Sequence, residues 1–217
     1  MSMITEQGSS STAGIPFGRK NKRSHKKAAV ERHRRWLHGF FWPVFFLTVV
    51  LTKASIDNPA IDGLIEIVSY TLVTAAVVGR LWCSLYIRGR KSKDLIQDGP
   101  YSICRNPLYV SSFLGGMGIA VASGRAALMI VFPALFCVYY LFVIKSEEKK
   151  LLELYGKEYE AYCAAVPRLI PRFGSYRTPT AVAVTPDQYL HGIVKSMGYF
   201  WILFALQLIE SLKAVSH

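Results

Sequence analysis

Between Asn106 and Ile144 the chain carries one charged residue, Arg125. Such a run is unsuited to the surface of a water-soluble fold, and it exceeds the roughly 20 residues that one helix needs to cross a bilayer. The run has to be divided, and "ASGRAA" around Arg125 supplies the small residues and the glycine of a turn. Two apolar segments joined there make a tight helical hairpin, each long enough to span, with Arg125 at its tip. Both ends of the hairpin are polar. "DGPYSICRNPLY" (98–109) leads in and "KSEEKKLLELYGKEYEAYCAAVPRLIPR" (145–172) leads out.

The remaining apolar segments extend this pattern. No charge interrupts "WLHGFFWPVFFLTVVLT" between Arg35 and Lys53, and Pro43 can kink such a helix without breaking it. A turn-like stretch, "KASIDNPAID", precedes a second apolar segment over 63–87, which holds Glu66 and Arg80. Arg80 is expected to snorkel or to pair with Glu66, and a charge inside a span is also a functional flag. "SMGYFWILFALQLI" (196–209) is short, which suits a tilted or interfacial helix, and 173–188 reads as loop. "GGMG" at 115–118 lies within a span and follows no strand, so it reads as a site of close helix packing and not as a dinucleotide fingerprint.

Charge sets the orientation. Hydrophobic residues make up 52% of the chain, yet the net charge is +12. The excess sits in flanks between apolar runs, which argues for contact with anionic membrane lipid and against a nucleic-acid-binding module. Arg19 to Arg35 form the basic part of a polar N-terminal tail. Arg88, Arg90, Lys91, Lys93 and Arg105 precede the hairpin, and the segment after it is again basic. The opposite loops carry Lys53 and Arg125 alone. The expectation is an all-α integral membrane protein of about four or five spanning helices, N-terminus inside. Residues 1–35 form the tail, 36–172 the core, and 173–217 a loop and last helix. Cys83, Cys104, Cys137 and Cys163 follow no metal or disulfide spacing and read as small apolar fillers.

The two polar segments bracket one hairpin and therefore meet at one membrane face, the cytoplasmic one. Leu151, Tyr155, Tyr159 and Tyr162 mark one face of an amphipathic helix that ends before Pro167. Arg105, Asn106 and two tyrosines face Glu147, Glu148 and Arg168. This set suits a ligand with an ammonium, a carboxylate and an aromatic ring, such as an amino-acid-bearing nucleotide.

"GPYSICRNPLYVSSFLGGMG" followed by "EEKKLLELYGKEYEAYCAAVPRLIP" resembles the isoprenylcysteine carboxyl methyltransferase and phospholipid methyltransferase superfamily. The resemblance implies an S-adenosylmethionine site capping a helical bundle at the cytoplasmic side, with methyl transfer to a lipophilic or lipid-linked acceptor. It assigns the cofactor to Leu95, Ile96, Tyr101, Asn106, Pro107, Leu108, Tyr109 and Glu147. The catalytic groups stay open, with Arg105 and Asn106 as the candidates. No metal or covalent nucleophile is required. Asn106 and Lys93 stand where the family has histidines, which excludes histidine acid–base chemistry at 106. Val143 stands where the isoprenylcysteine enzymes have an arginine facing the acceptor, which speaks against a prenylcysteine carboxylate. Two other readings stay open: an NADPH-dependent reductase of the sterol-reductase type, and a non-catalytic membrane scaffold.

Overall fold

The computed structural model describes residues 59–87, 94–179, 182, 184 and 186–215. The basic tail, the 36–52 segment, and Lys53, Arg88, Arg90, Lys91 and Lys93 lie outside the described residues. The described part falls within one compact unit, Lys53–His217. All its regular elements are helical. They are α1 (Pro59–Ile87), α2 (Pro100–Ile103), α3 (Pro107–Ala122), α4 (Ala126–Tyr155), α5 (Lys157–Ala165), a 3-10 turn (Phe173–Ser175) and α6 (Pro186–Val215).

Ile61–Ile87, Ala126–Tyr155 and Tyr189–Ile209 are each long and apolar enough to cross a membrane. This is the expected all-α membrane architecture, with two departures. The first half of the hairpin, α3, has only 16 residues, about 24 Å of helix against a bilayer core of about 30 Å. Its start is taken up by the polar turn before Pro107, and its end comes at Gly124, whose φ is +62°. The second departure is at the other end of the chain. The expected loop over 173–188 is shorter, because α6 begins at Pro186, a residue preorganised for the first helical turn.

The change of character at Lys145 is a change of surroundings and not of backbone. Neither glycine nor proline interrupts the chain there, so α4 runs on to Tyr155 and breaks at Gly156, where φ is +51°. The helix resumes as α5 and stops at Val166, before Pro167 as expected. Despite the break, the expected face holds. Tyr159, Tyr162 and Val166 form a buried cluster against which Leu151 and Tyr155 pack.

In the bundle, α1 lies along α3, α6 rests against both, and α4 packs on α3. The 115–118 glycines make this possible. A Cβ on Gly118 would stand 2.8 Å from Val73 Cγ2 and 3.0 Å from the Ser69 carbonyl oxygen of α1. One on Gly115 would stand 2.5 Å from the Tyr199 ring of α6, and one on Gly116 would overlap Phe132 of α4. At the hairpin tip Arg125 folds back, 2% exposed, and its Nη1 donates to the Ser123 carbonyl at 2.6 Å. The expected alternative of an Arg80–Glu66 pair is not formed. Glu66 lies 14 positions back along α1, about 21 Å away, and Arg80 instead donates through Nη1 to Ser112 Oγ beneath the Tyr199 ring.

Candidate functional site

The turn before α3 is shaped by residues with restricted choices. Gly99 has φ +60°, and any Cβ there would collide with the Tyr86 ring. Pro100 opens the single turn of α2, extended Cys104 closes it, and Pro107 starts α3 after Asn106. Main-chain hydrogen bonds tie this turn to the segment after α5. Arg105 N donates to the Pro167 carbonyl at 2.9 Å, Arg172 N to Ile103 at 2.9 Å and Gly99 N to Arg177 at 2.8 Å. Tyr162 Oη adds a bond to the Tyr101 carbonyl at 2.7 Å. The two polar segments flanking the hairpin therefore interlock, as their places in the sequence require.

Within this frame Tyr109 Oη donates to Glu147 Oε2 at 2.8 Å. Tyr140 braces Tyr109 edge-on with ring centroids 4.8 Å apart, and Phe136 stacks behind Tyr140. Tyr101 is 7% exposed, and its phenolic oxygen is buried with no hydrogen-bond partner among the described residues. Burial holds the Tyr101 phenol well above its ordinary pKa, and the neighbouring Cys83, Tyr162, Glu147 and Tyr109 push the same way. A neutral buried hydroxyl beside a carboxylate is a donor in want of an acceptor.

Glu148, next in sequence, faces elsewhere. Arg168 grips it through two bonds, Nε at 3.0 Å and Nη2 at 2.7 Å, and Arg105 Nη1 stands 3.5 Å away. Arg105 Nη1 also donates to Cys163 Sγ, while its Nε is buried without a partner among the described residues. Asn106 Nδ2 donates to the Arg168 carbonyl at 3.1 Å.

The structure thus brings Tyr101, Arg105, Asn106, Pro107, Leu108, Tyr109 and Glu147 together at one end of the bundle. Leu95 and Ile96 sit between two apolar clusters. Leu95 packs on the Tyr159 group, while Ile96 and Leu108 pack on Cys83, Tyr86 and Tyr101. Arg168 and Glu148, expected to face a ligand, are engaged with each other. Two participants were missed. Cys163 gives no sequence signal. Tyr140 lies seven positions before Glu147, two helical turns on the same face, a spacing that could have been read. A recess of about 530 Å³ opens beside this group, lined by Gln97, Ser102, Glu158, Tyr162, Tyr176 and Arg177 among others, and neither Tyr109 nor Glu147 reaches it. The Tyr101–Tyr109–Glu147 group holds the orphaned donor and the carboxylate.

The sequence matches the phospholipid methyltransferase family across residues 65–158, the stretch that contains this group. It is 31% identical to the nickel-cobalt-cadmium resistance protein NccN of Alcaligenes xylosoxydans xylosoxydans over 179 residues, 82% of this chain and 84% of that one. The chain belongs to this superfamily of membrane methyltransferases. The cobalt-zinc-cadmium resistance protein CzcN of Cupriavidus metallidurans is a relative at 36% identity over 139 residues, 64% of this chain and 62% of its own length. The methyltransferase superfamily is also represented by the protein-S-isoprenylcysteine O-methyltransferase of Schizosaccharomyces pombe, 26% identical over 132 residues, 60% of this chain and 55% of that enzyme. No solved structure gives a significant match.

Proposed function

We propose that this chain is an S-adenosylmethionine-dependent methyltransferase that acts on a lipophilic, membrane-embedded acceptor at the cytoplasmic face. The observation that carries the reading is the Tyr101–Tyr109–Glu147 group, with its orphaned phenol and its carboxylate at the mouth of the bundle. Bound S-adenosylmethionine would supply a methyl group already activated by its sulfonium.

The residues of the chain bind and orient. Glu147 offers an acceptor for an ammonium, and Tyr109 fixes its carboxylate through the 2.8 Å bond. Tyr101 offers an unspent hydroxyl. Arg105, held by Glu148 and Cys163, keeps the turn in shape. Asn106 does the same from its bond to the Arg168 carbonyl and moves no proton near neutral pH. Alignment of donor and acceptor with exclusion of water is sufficient catalysis for an activated methyl group. The resistance names of two relatives describe a phenotype, and methylation of a membrane component is the biochemical reading we attach to it.

Calorimetry with S-adenosylmethionine on detergent-purified protein tests this. A hydrogen bond to a charged group contributes about 1.5–3 kcal/mol, so Glu147→Ala is expected to weaken binding by tenfold or more. Tyr109→Phe, which leaves the carboxylate in place, should weaken it less. Unchanged affinity in Glu147→Ala would sink the assignment of the ammonium site.

A further inference from the structure

Arg80 lies inside the α1 span, where a cation is costly and commonly functional. Its guanidinium is held in the bundle between α3 and α6. Nη1 donates to Ser112 Oγ of α3, and the Tyr199 ring of α6 covers the cation with its centroid 5.6 Å from Cζ. Ser112 spends its own proton on the Leu108 carbonyl at 2.8 Å, so it meets Arg80 as an acceptor. Gly115 is what lets the Tyr199 ring approach α3. Among the described residues no carboxylate is paired with Arg80, and its Nε is buried without a hydrogen-bond partner. A guanidinium presents five donors in a planar fork shaped for an oxyanion.

Its position relates it to the candidate site. Ser112 lies three residues beyond Tyr109 on α3, one turn and about 4.5 Å deeper on the same face. Cys83 lies one turn from Arg80 on α1 and packs directly on Tyr101. The partly spent fork of Arg80 therefore stands about one helical turn along α3 from the Tyr101–Tyr109–Glu147 group. The bond to Ser112 uses one of the five donors, and Nε is left buried without a partner among the described residues.

We infer that Arg80 is a ligand-binding residue of a second, intramembrane subsite, which takes the oxyanion, carboxylate or phosphate, of an amphiphile seated beneath the methyl donor. The subsite deepens the methyltransferase reading and rests on it only in naming that amphiphile the acceptor.

The test is equilibrium binding to the full-length chain in neutral detergent, with two matched pairs of probes. Palmitate is compared with methyl palmitate, and dioleoyl phosphatidate with dioleoylglycerol. The wild type is expected to hold at least one oxyanion probe about tenfold more tightly than its neutral counterpart, the scale of one charge-assisted bond. Arg80→Gln should erase that preference, and Arg80→Lys, which keeps the charge but loses the fork, should retain part of it. A preference for palmitate identifies a fatty-acid-type carboxylate, and one for phosphatidate a phospholipid. Equal binding of charged and neutral probes by the wild type overturns the subsite, a result that depends on no variant. So does a preference that survives in Arg80→Gln. S-adenosylmethionine titrated in parallel separates the two proposals. Cofactor binding without oxyanion preference removes only the subsite, and an Arg80-dependent preference without cofactor binding removes only the methyltransferase reading.

Discussion

Glu147 and Glu148 are adjacent on α4, and adjacent helical residues project about 100° apart. That angle gives them separate surroundings: Glu147 meets Tyr109, and Glu148 meets Arg105 and Arg168. The second carboxylate neutralises a largely buried arginine, since the Arg105 side chain is only 12% exposed. Removing its charge leaves Arg105 uncompensated, so Glu148→Gln is expected to destabilise the fold by about 1–3 kcal/mol. The Arg168 side chain is 42% exposed, and its half of the arrangement is screened, so Arg168→Ala should cost less than about 1 kcal/mol. Thermal unfolding of both variants in one detergent measures the order, and a larger loss in Arg168→Ala would refute the reading. The acidic pair was readable in the sequence as one feature. The resemblance singled out Glu147, but the engagement of Glu148 by Arg105 and Arg168 was not readable, because it depends on where Arg105 lies, and that is fixed by the turn and not by local spacing. The pairing of Arg80 with Glu66 failed for a related reason: sharing a span says nothing of the turns between two residues.

At the scale of the helices, packing is governed by where a side chain is absent. Gly118 faces a wall of α1 made of Val73, Leu72 and the Ser69 carbonyl, whereas Gly63 on α1 has no atom within 4 Å of a notional Cβ. Gly118→Leu is expected to force α3 away from α1 and lower the unfolding temperature by several degrees. Gly63→Leu should be neutral or mildly stabilising through helix propensity alone. Equal melting of the two variants would show that the glycine contact does not bear on packing. Apolar runs and the proline at 167 made most helices recognisable beforehand. Boundaries drawn from charge were less secure. Lys145 alters what surrounds α4 without altering its backbone, while Gly156, a residue without polarity signal, interrupts the helix. The onset of α6 at Pro186 escaped notice because its first turns are polar.

For the molecule as a whole, Tyr101, Tyr159 and Tyr162 act together, since burial raises all three phenols above their usual pKa. Unfolded tyrosines ionise near about pH 10. Below that, both states keep their protons and these groups give no pH dependence. Above it, the unfolded chain releases protons that the folded chain retains, so stability falls as pH rises. Unfolding midpoints measured from neutral to strongly alkaline pH should be flat and then decline, with a shallower decline in Tyr162→Phe. An undiminished slope in that variant would contradict the assignment. Three of the hydrogen bonds that join residues 99–105 to 167–177 run from main chain to main chain, and the Cys104 and Ser102 side chains supply others. The main-chain part of that frame does not depend on which side chains it displays. Those main-chain bonds can stay in place when a side chain beside them is exchanged, so this end of the bundle has room to change its display while the scaffold persists.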